Sequence, residues 1–223
     1  MSKKIMSMIL VLIGVVSGIV FLRFQGTIPL PVEIGLKIMP TFTMCAWLFI
    51  NKLDNKNWLV FTGLIFSFLC DISMSLPGTM FLTPGIGCNM LSLIFFTVYF
   101  LHSGRNLRLI RVIPFAIIMG ILFGILYNYL GANKIPVLVY CILYIVFLWR
   151  ASARLGDNSI LVRSQLICFF GSLIIALSDS LLSMVLFGVV GKIFLLQIVI
   201  MCLWWTGLFL MMVTARIEKK KIV

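Results

Sequence analysis

The sequence predicts an all-α fold, a polytopic transmembrane bundle of eight helices with both termini in the cytoplasm. Three observations predict it. Of 223 residues, 62% are hydrophobic and only 11% are charged. Apolar runs of roughly 20 residues recur along the whole length, enough to cross a hydrocarbon core of about 30 Å. The connections between them are short and carry turn residues, as in "GTIPLP", "PGTMFLTPG" and "GANKIP". Strands are disfavoured, because an open sheet edge leaves backbone polar groups unsatisfied in lipid. Residues 1–223 therefore read as a single integral membrane domain with no room for a separate soluble one.

Each helix has its own warrant. The first, about 5–22, follows Lys3 and Lys4 and looks like a signal peptide; no small-x-small cleavage site follows, so it reads as a retained helix. The second, about 34–51, follows "GTIPLP", and the third, about 58–76, follows the polar "NKLDNKN". The fourth, about 85–102, follows the Pro-Gly turn and ends before "HSGRNLR". The fifth and sixth, about 109–130 and 135–149, are separated by "GANKIP". The seventh, about 164–187, follows "ARLGDNS", and "GVVGK" divides it from the eighth, about 193–214.

A net charge of +12 could suggest a nucleic-acid partner, but its distribution argues for topology instead. Fourteen of the 18 Lys and Arg fall in the N-terminus, the second, fourth and sixth loops and the C-terminal tail. The opposite loops hold only Arg23, Lys134 and Lys192, which places both termini inside. The "RIEKKKIV" tail reads as an anchor that touches anionic lipid. The partner is thus the bilayer and not nucleic acid. The six cysteines lie within apolar spans without metal-ligand or disulfide spacing and read as small buried core residues.

Two acidic residues break the apolar pattern. Asp71 lies 13 residues past Trp58, and Asp179 lies 15 past Ser164. At about 1.5 Å per residue, each sits roughly 20 Å from the cytoplasmic edge. Lys37, Asn89, Tyr140 and Gln197, early on the even-numbered helices, fall in the same layer, which suggests a cavity open toward the outer leaflet. The stretches "GLIFSFLCDISMSL" (63–76) and "GSLIIALSDSLLSM" (171–184) align at a constant offset of 108, pairing Asp71 with Asp179. The same offset pairs Asn89 with Gln197, which suggests a parallel four-plus-four repeat. Such a repeat would set both carboxylates facing one interior.

Ser67, Asp71 and Ser75 form one helical stripe, and Ser172, Asp179 and Ser183 another. Gly63 and Gly171 allow close helix contact on the same helices. A carboxylate at this depth costs roughly 2.5–3.5 kcal/mol and is usually functional; the bland alternative is a neutral aspartate bonded to a neighbouring helix. Lys37 either snorkels to the headgroups or pairs with Asp71, Asp179 or a lipid phosphate. His102 reads as interfacial, Trp58 and Trp149 as an aromatic belt, and Trp204 and Trp205 as packing.

These residues resemble the YhhN (lysoplasmalogenase-like) family. "GLIFSFLCDISMSL" resembles its third-helix signature, and "FGSLIIALSDSLLSMVLF" its Gly…Ser-Asp…Phe motif through Gly171, Ser178, Asp179 and Phe187. "LKIMP" resembles its Lys-x-x-Pro element through Lys37 and Pro40, and "YCILYIVFLWRA" its Tyr…Ala stretch through Tyr140 and Ala151. Departures are Cys70 for a glycine, Phe96 for a histidine and Leu208 for a glutamine.

The resemblance implies a membrane-embedded hydrolase of a bacterial inner membrane. It would cleave the vinyl ether bond of a lysoplasmalogen to a fatty aldehyde and a glycerophospho-ethanolamine or -choline. Asp71 and Asp179 would be the catalytic acid and base, as in two-carboxylate glycoside hydrolysis. Their two roles are left open, with a leaning to Asp179 as acid. Lys37, Asn89, Tyr140, Ser178 and Gln197 would bind the lipid substrate, with no cofactor and no metal. The alternatives are a proton-coupled lipid or small-molecule transporter and a degenerate, non-catalytic family member. The headgroup and the oligomeric state are not specified by the residues.

Overall fold

Apolar segments in lipid become helices because each backbone N–H and C=O then finds its partner within the segment. A computed structural model describes residues 3–51, 57–103 and 107–219. Among these there are eight α-helices and no strands. The basic positions Lys52, Lys56, Arg105, Lys220 and Lys221 lie outside the described residues. Seven helical stretches are long and apolar enough to cross a membrane, and the third helix, with 17 residues, is shorter. The chain is a multi-pass integral membrane protein. It divides into two units, Met1–Phe95 and Phe96–Val223.

The first unit holds α1 (Lys3–Phe24), α2 (Leu30–Ile50), α3 (Asn57–Ser73) and the start of α4 (Leu82–Ser103). Gly14, Ser17, Gly18 and Phe21 are the buried positions of α1 and form one helical stripe. Gly14 lets α1 close onto α2, since a Cβ there would collide with Thr43 Oγ1 and lie 3.6 Å from Pro40 Cα. Helix α2 begins four residues before the expected position 34. Pro31 falls in its first turn, where a missing N–H costs nothing. Glu33 also sits in that turn and accepts a hydrogen bond from the Gly26 N–H at 3.2 Å. Asn51 closes the helix, its Nδ2 donating to Trp47 O at 2.8 Å.

Helix α3 stops three residues short of the expected 76. The Ser75 and Leu76 N–H groups bond three residues back, to Ile72 O and Ser73 O, tightening the chain before Pro77 and Gly78. The carbonyl of Asp71, which Ser75 N–H would cap in a continuing helix, accepts the Ser75 hydroxyl instead at 2.6 Å.

The second unit holds the rest of α4, α5 (Val112–Leu126), α6 (Lys134–Ala153), α7 (Val162–Leu186) and α8 (Phe194–Lys219). Short 3-10 turns at Leu109–Arg111 and Gly131–Asn133 lead into α5 and α6. Helix α5 ends at Leu126 rather than 130, where the Tyr129 N–H bonds Leu126 O. Helix α6 runs past the expected 149 because Arg150 does not mark an end; it is buried, as are Ala151, Ser152 and Ala153. The last helix continues five residues past the expected 214, through Arg216 to Lys219.

The loop after α6 is fixed by polar side chains. Gln165 Nε2 donates to Asp157 O and Ile160 O, at 2.6 and 2.9 Å, while its Oε1 accepts the Gly156 N–H. The Ser159 hydroxyl and N–H both donate to Asp157 Oδ1, and they hold that carboxyl below its ordinary range. Four of the six cysteines are buried as expected. Cys88 is half-buried and Cys202 exposed.

Helices α7 and α8 approach closely through paired glycines. A Cβ on Gly171 would lie 2.9 Å from Leu210 Cβ, and one on Gly207 would lie 2.5 Å from Ile175 Cγ1. Small residues at such a crossing let dispersion replace the hydrophobic force that lipid cannot supply. Gly207→Val should lower thermal stability in detergent by roughly 1–3 kcal/mol, the cost of overpacking. Gly120→Ala, with open space around it, should leave stability unchanged or raise it.

Candidate functional site

Among the described residues, each unit buries one aspartate within a helix, and a neighbouring helix donates hydroxyl hydrogen bonds to it. In the first unit, Asp71 is 5% exposed on the last turns of α3. Its Oδ2 accepts the Thr41 hydroxyl from α2 at 3.0 Å. Thr41 directly follows Pro40, which interrupts the α2 hydrogen-bond ladder, and it is completely buried. One turn earlier on α2, Lys37 Nζ donates to Ser75 Oγ at 3.0 Å. The antiparallel pairing is regular: Lys37 meets Ser75, and Thr41 meets Asp71. Lys37 is half-buried and forms no ion pair among the described residues.

The polar stripe of α3 continues toward α4, where Ser67 Oγ and Ser92 Oγ share a hydrogen bond of 2.8 Å. Asn89 is buried one turn before Ser92 on the same α4 face. The expected Ser67, Asp71 and Ser75 stripe is therefore real, and its two ends serve different partners.

In the second unit, Asp179 on α7 is 6% exposed. Two phenols from α6 converge on its Oδ2: Tyr140 and Tyr144 each donate at 2.5 Å. These tyrosines are four residues apart and so share a helical face, their rings edge-to-face with centroids 5.0 Å apart. Ser178 turns the other way, toward α8, where its hydroxyl donates to Ile200 O at 2.9 Å. It thereby ties α7 to α8, while Gln197 is half-buried one turn before Ile200. On α7, Ser172 and Ser183 bond their own helix at Cys168 O and Ser180 O, so they leave the carboxylate to the phenols.

The structure thus joins Lys37 to Ser75, four residues after Asp71, and Tyr140 to Asp179. It adds two residues that sequence reasoning did not single out, Thr41 and Tyr144. Both carry a periodicity signal, since Thr41 lies four residues after Lys37 and Tyr144 four after Tyr140. His102 is exposed near the end of α4.

The YhhN family model matches residues 32–215, a region that contains both aspartates and every residue described around them. The chain belongs to the YhhN family. No curated protein and no solved structure matches it. For this YhhN protein, the matched region begins inside α2 and ends in α8, so α1 lies outside it.

A donor lost from a buried carboxyl group leaves a desolvated oxygen without compensation. Tyr144→Phe and Thr41→Val should each lower stability by roughly 1–3 kcal/mol. Tyr129→Phe, at an exposed position, should lower it little. Thermal unfolding of the purified variants in one detergent checks all three.

Proposed function

We propose that this YhhN protein is a lysoplasmalogenase-like hydrolase of a bacterial inner membrane, with both termini cytoplasmic. The observation that carries the reading is the pair of phenols on buried Asp179 in the second unit, with Asp71 of the first unit likewise buried and bonded by a hydroxyl. Membership of the YhhN family supports it.

The reaction consumes one water. A proton adds to the vinyl carbon remote from the ether oxygen, which leaves an oxocarbenium cation on the carbon bonded to that oxygen. Water attacks the cation and gives up a proton to a base, forming a hemiacetal. The hemiacetal then splits, its hydroxyl proton passing to the departing glycerol oxygen. A fatty aldehyde and a glycerophospho-ethanolamine or -choline leave.

The hydrogen bonds suggest how two aspartates divide this work. Two phenol donors on one oxygen suit an ionised carboxylate, which can only accept. Asp179 is therefore the carboxylate that faces the cation and takes the proton from water. Asp71 is the proton donor. This reverses the leaning drawn from sequence, which rests on the serines near Asp179 and on Asp71 lying closer to the outer surface. Lys37 bonds Ser75 rather than the Asp71 carboxyl, and its other two N–H groups serve the phosphate of the headgroup. Asn89 and Gln197 orient headgroup and water from α4 and α8.

Purified protein in detergent, given a lysoplasmalogen, should release aldehyde. Asp71→Asn and Asp179→Asn should each reduce that release by about a hundredfold or more, the scale of general acid–base catalysis. Release unchanged in both variants would remove the two-carboxylate mechanism. No release from folded wild-type protein would favour the carrier or the non-catalytic reading.

A further inference from the structure

We infer that the end of the second unit where α6 terminates is a binding site for the headgroup of an anionic phospholipid, with Arg108 and Arg111 as its ligands. Neither arginine belongs to the aspartate site proposed above, and the inference stands without it.

Arg108 and Arg111 are fixed in place by carbonyls of the last turn of α6 and of the chain just after it. Arg108 donates to Leu155 O and, at 2.8 Å, to Gly156 O. Arg111 donates to Ser152 O and, at 3.1 Å, to Leu155 O. Arg108 adopts the left-handed backbone region, with φ 42° and ψ 56°, which L side chains rarely occupy. Strained backbone of this kind concentrates at binding sites.

These carbonyl bonds are not a complete use of either side chain. A guanidinium has five N–H donors, and the bonds above leave several on each arginine without an acceptor among the described residues. Both side chains are half-buried and reachable. Their like charges are close enough to oppose each other, a cost that an anion between them would relieve. Asp157 is the carboxylate near Arg108, and its Oδ1 accepts both the Ser159 hydroxyl and N–H. Two further cations lie behind in α6 and its end. Arg150 stacks over Trp149, and Arg154 over Tyr99 and Phe100, so the local charge is strongly positive.

The surroundings specify a lipid rather than a free anion. Leu107, Leu109 and Ile110 are 54%, 64% and 74% exposed beside the two arginines. Large apolar side chains this exposed, next to fixed cations, match acyl chains below a phosphate. The Trp149 indole, whose Nε1 donates to Leu107 O at 2.8 Å, marks the headgroup level of that leaflet. Guanidinium forks bind phosphate in two-pronged fashion, which gives the site its class of ligand.

The test uses the full chain in nanodiscs of phosphatidylcholine with or without phosphatidylglycerol. Native mass spectrometry after release should show phosphatidylglycerol retained on the wild-type protein in preference to phosphatidylcholine. Arg108→Gln with Arg111→Gln should reduce that retention roughly fivefold per arginine. The paired lysine variant should keep part of it, and Lys192→Gln, in the loop between α7 and α8, should keep all of it. Hydrogen exchange on the wild-type protein provides a second readout that needs no variant. Phosphatidylglycerol should protect amides of residues 107–112 and 154–161, and not those of 188–193. Equal retention by wild type and the glutamine variant would overturn the inference, as would protection elsewhere only. Displacement of the lipid by low inorganic phosphate would show a free-phosphate site and overturn the lipid occupant.

Discussion

A carboxylate inside a membrane-spanning helix must be given hydrogen-bond donors by another helix, and that requirement organises each unit of this protein. Lipid offers no donors, and a carboxyl group taken out of water without them is costly. In the first unit the donor is Thr41, and in the second it is the Tyr140–Tyr144 pair. The helices that supply them are neighbours in sequence, so short loops suffice to fix the antiparallel register. A shift of one residue in that register would rotate every donor off the carboxylate.

Small residues and prolines set the spacing at which those donors arrive. Gly14 brings α1 onto α2 around Pro40 and Thr43, the turn that also carries Thr41. Gly171 and Gly207 bring α8 onto α7, where Ser178 bonds the Ile200 carbonyl and fixes the rotation of the helix that carries Asp179. The tightened end of α3 belongs to the same design. Ser75 caps the carbonyl of Asp71 and at the same time accepts from Lys37, so one hydroxyl links the cation to the carboxylate's own backbone.

Most of the fold was legible because its signals are additive over many residues. Apolar runs and turn residues each located helices, and errors arose where one residue decided a boundary. Arg150 looked like a helix end, yet α6 buries it and runs on. Pro29 and Pro31 looked like loop, yet Pro31 lies within the first turn of α2, where proline is tolerated. The aspartates were legible because charge in an apolar run is rare. Thr41 and Tyr144 were not, since a threonine and a tyrosine in lipid-facing sequence are common. Only the helix they point toward tells them apart from packing residues. The direction of the Asp179 hydrogen bonds was equally hidden. The adjacent serines drew attention in sequence, and in the structure Ser178 and Ser183 bond backbone carbonyls instead.

The proposed chemistry turns on unlike protonation of two like residues, Asp179 ionised under its phenols and Asp71 carrying the proton. Infrared difference spectroscopy on isotope-labelled protein measures this directly. The account predicts a carboxylic-acid C=O band in wild type that disappears in Asp71→Asn and persists in Asp179→Asn. A band that instead survives the loss of Asp71 and vanishes with Asp179 would contradict it.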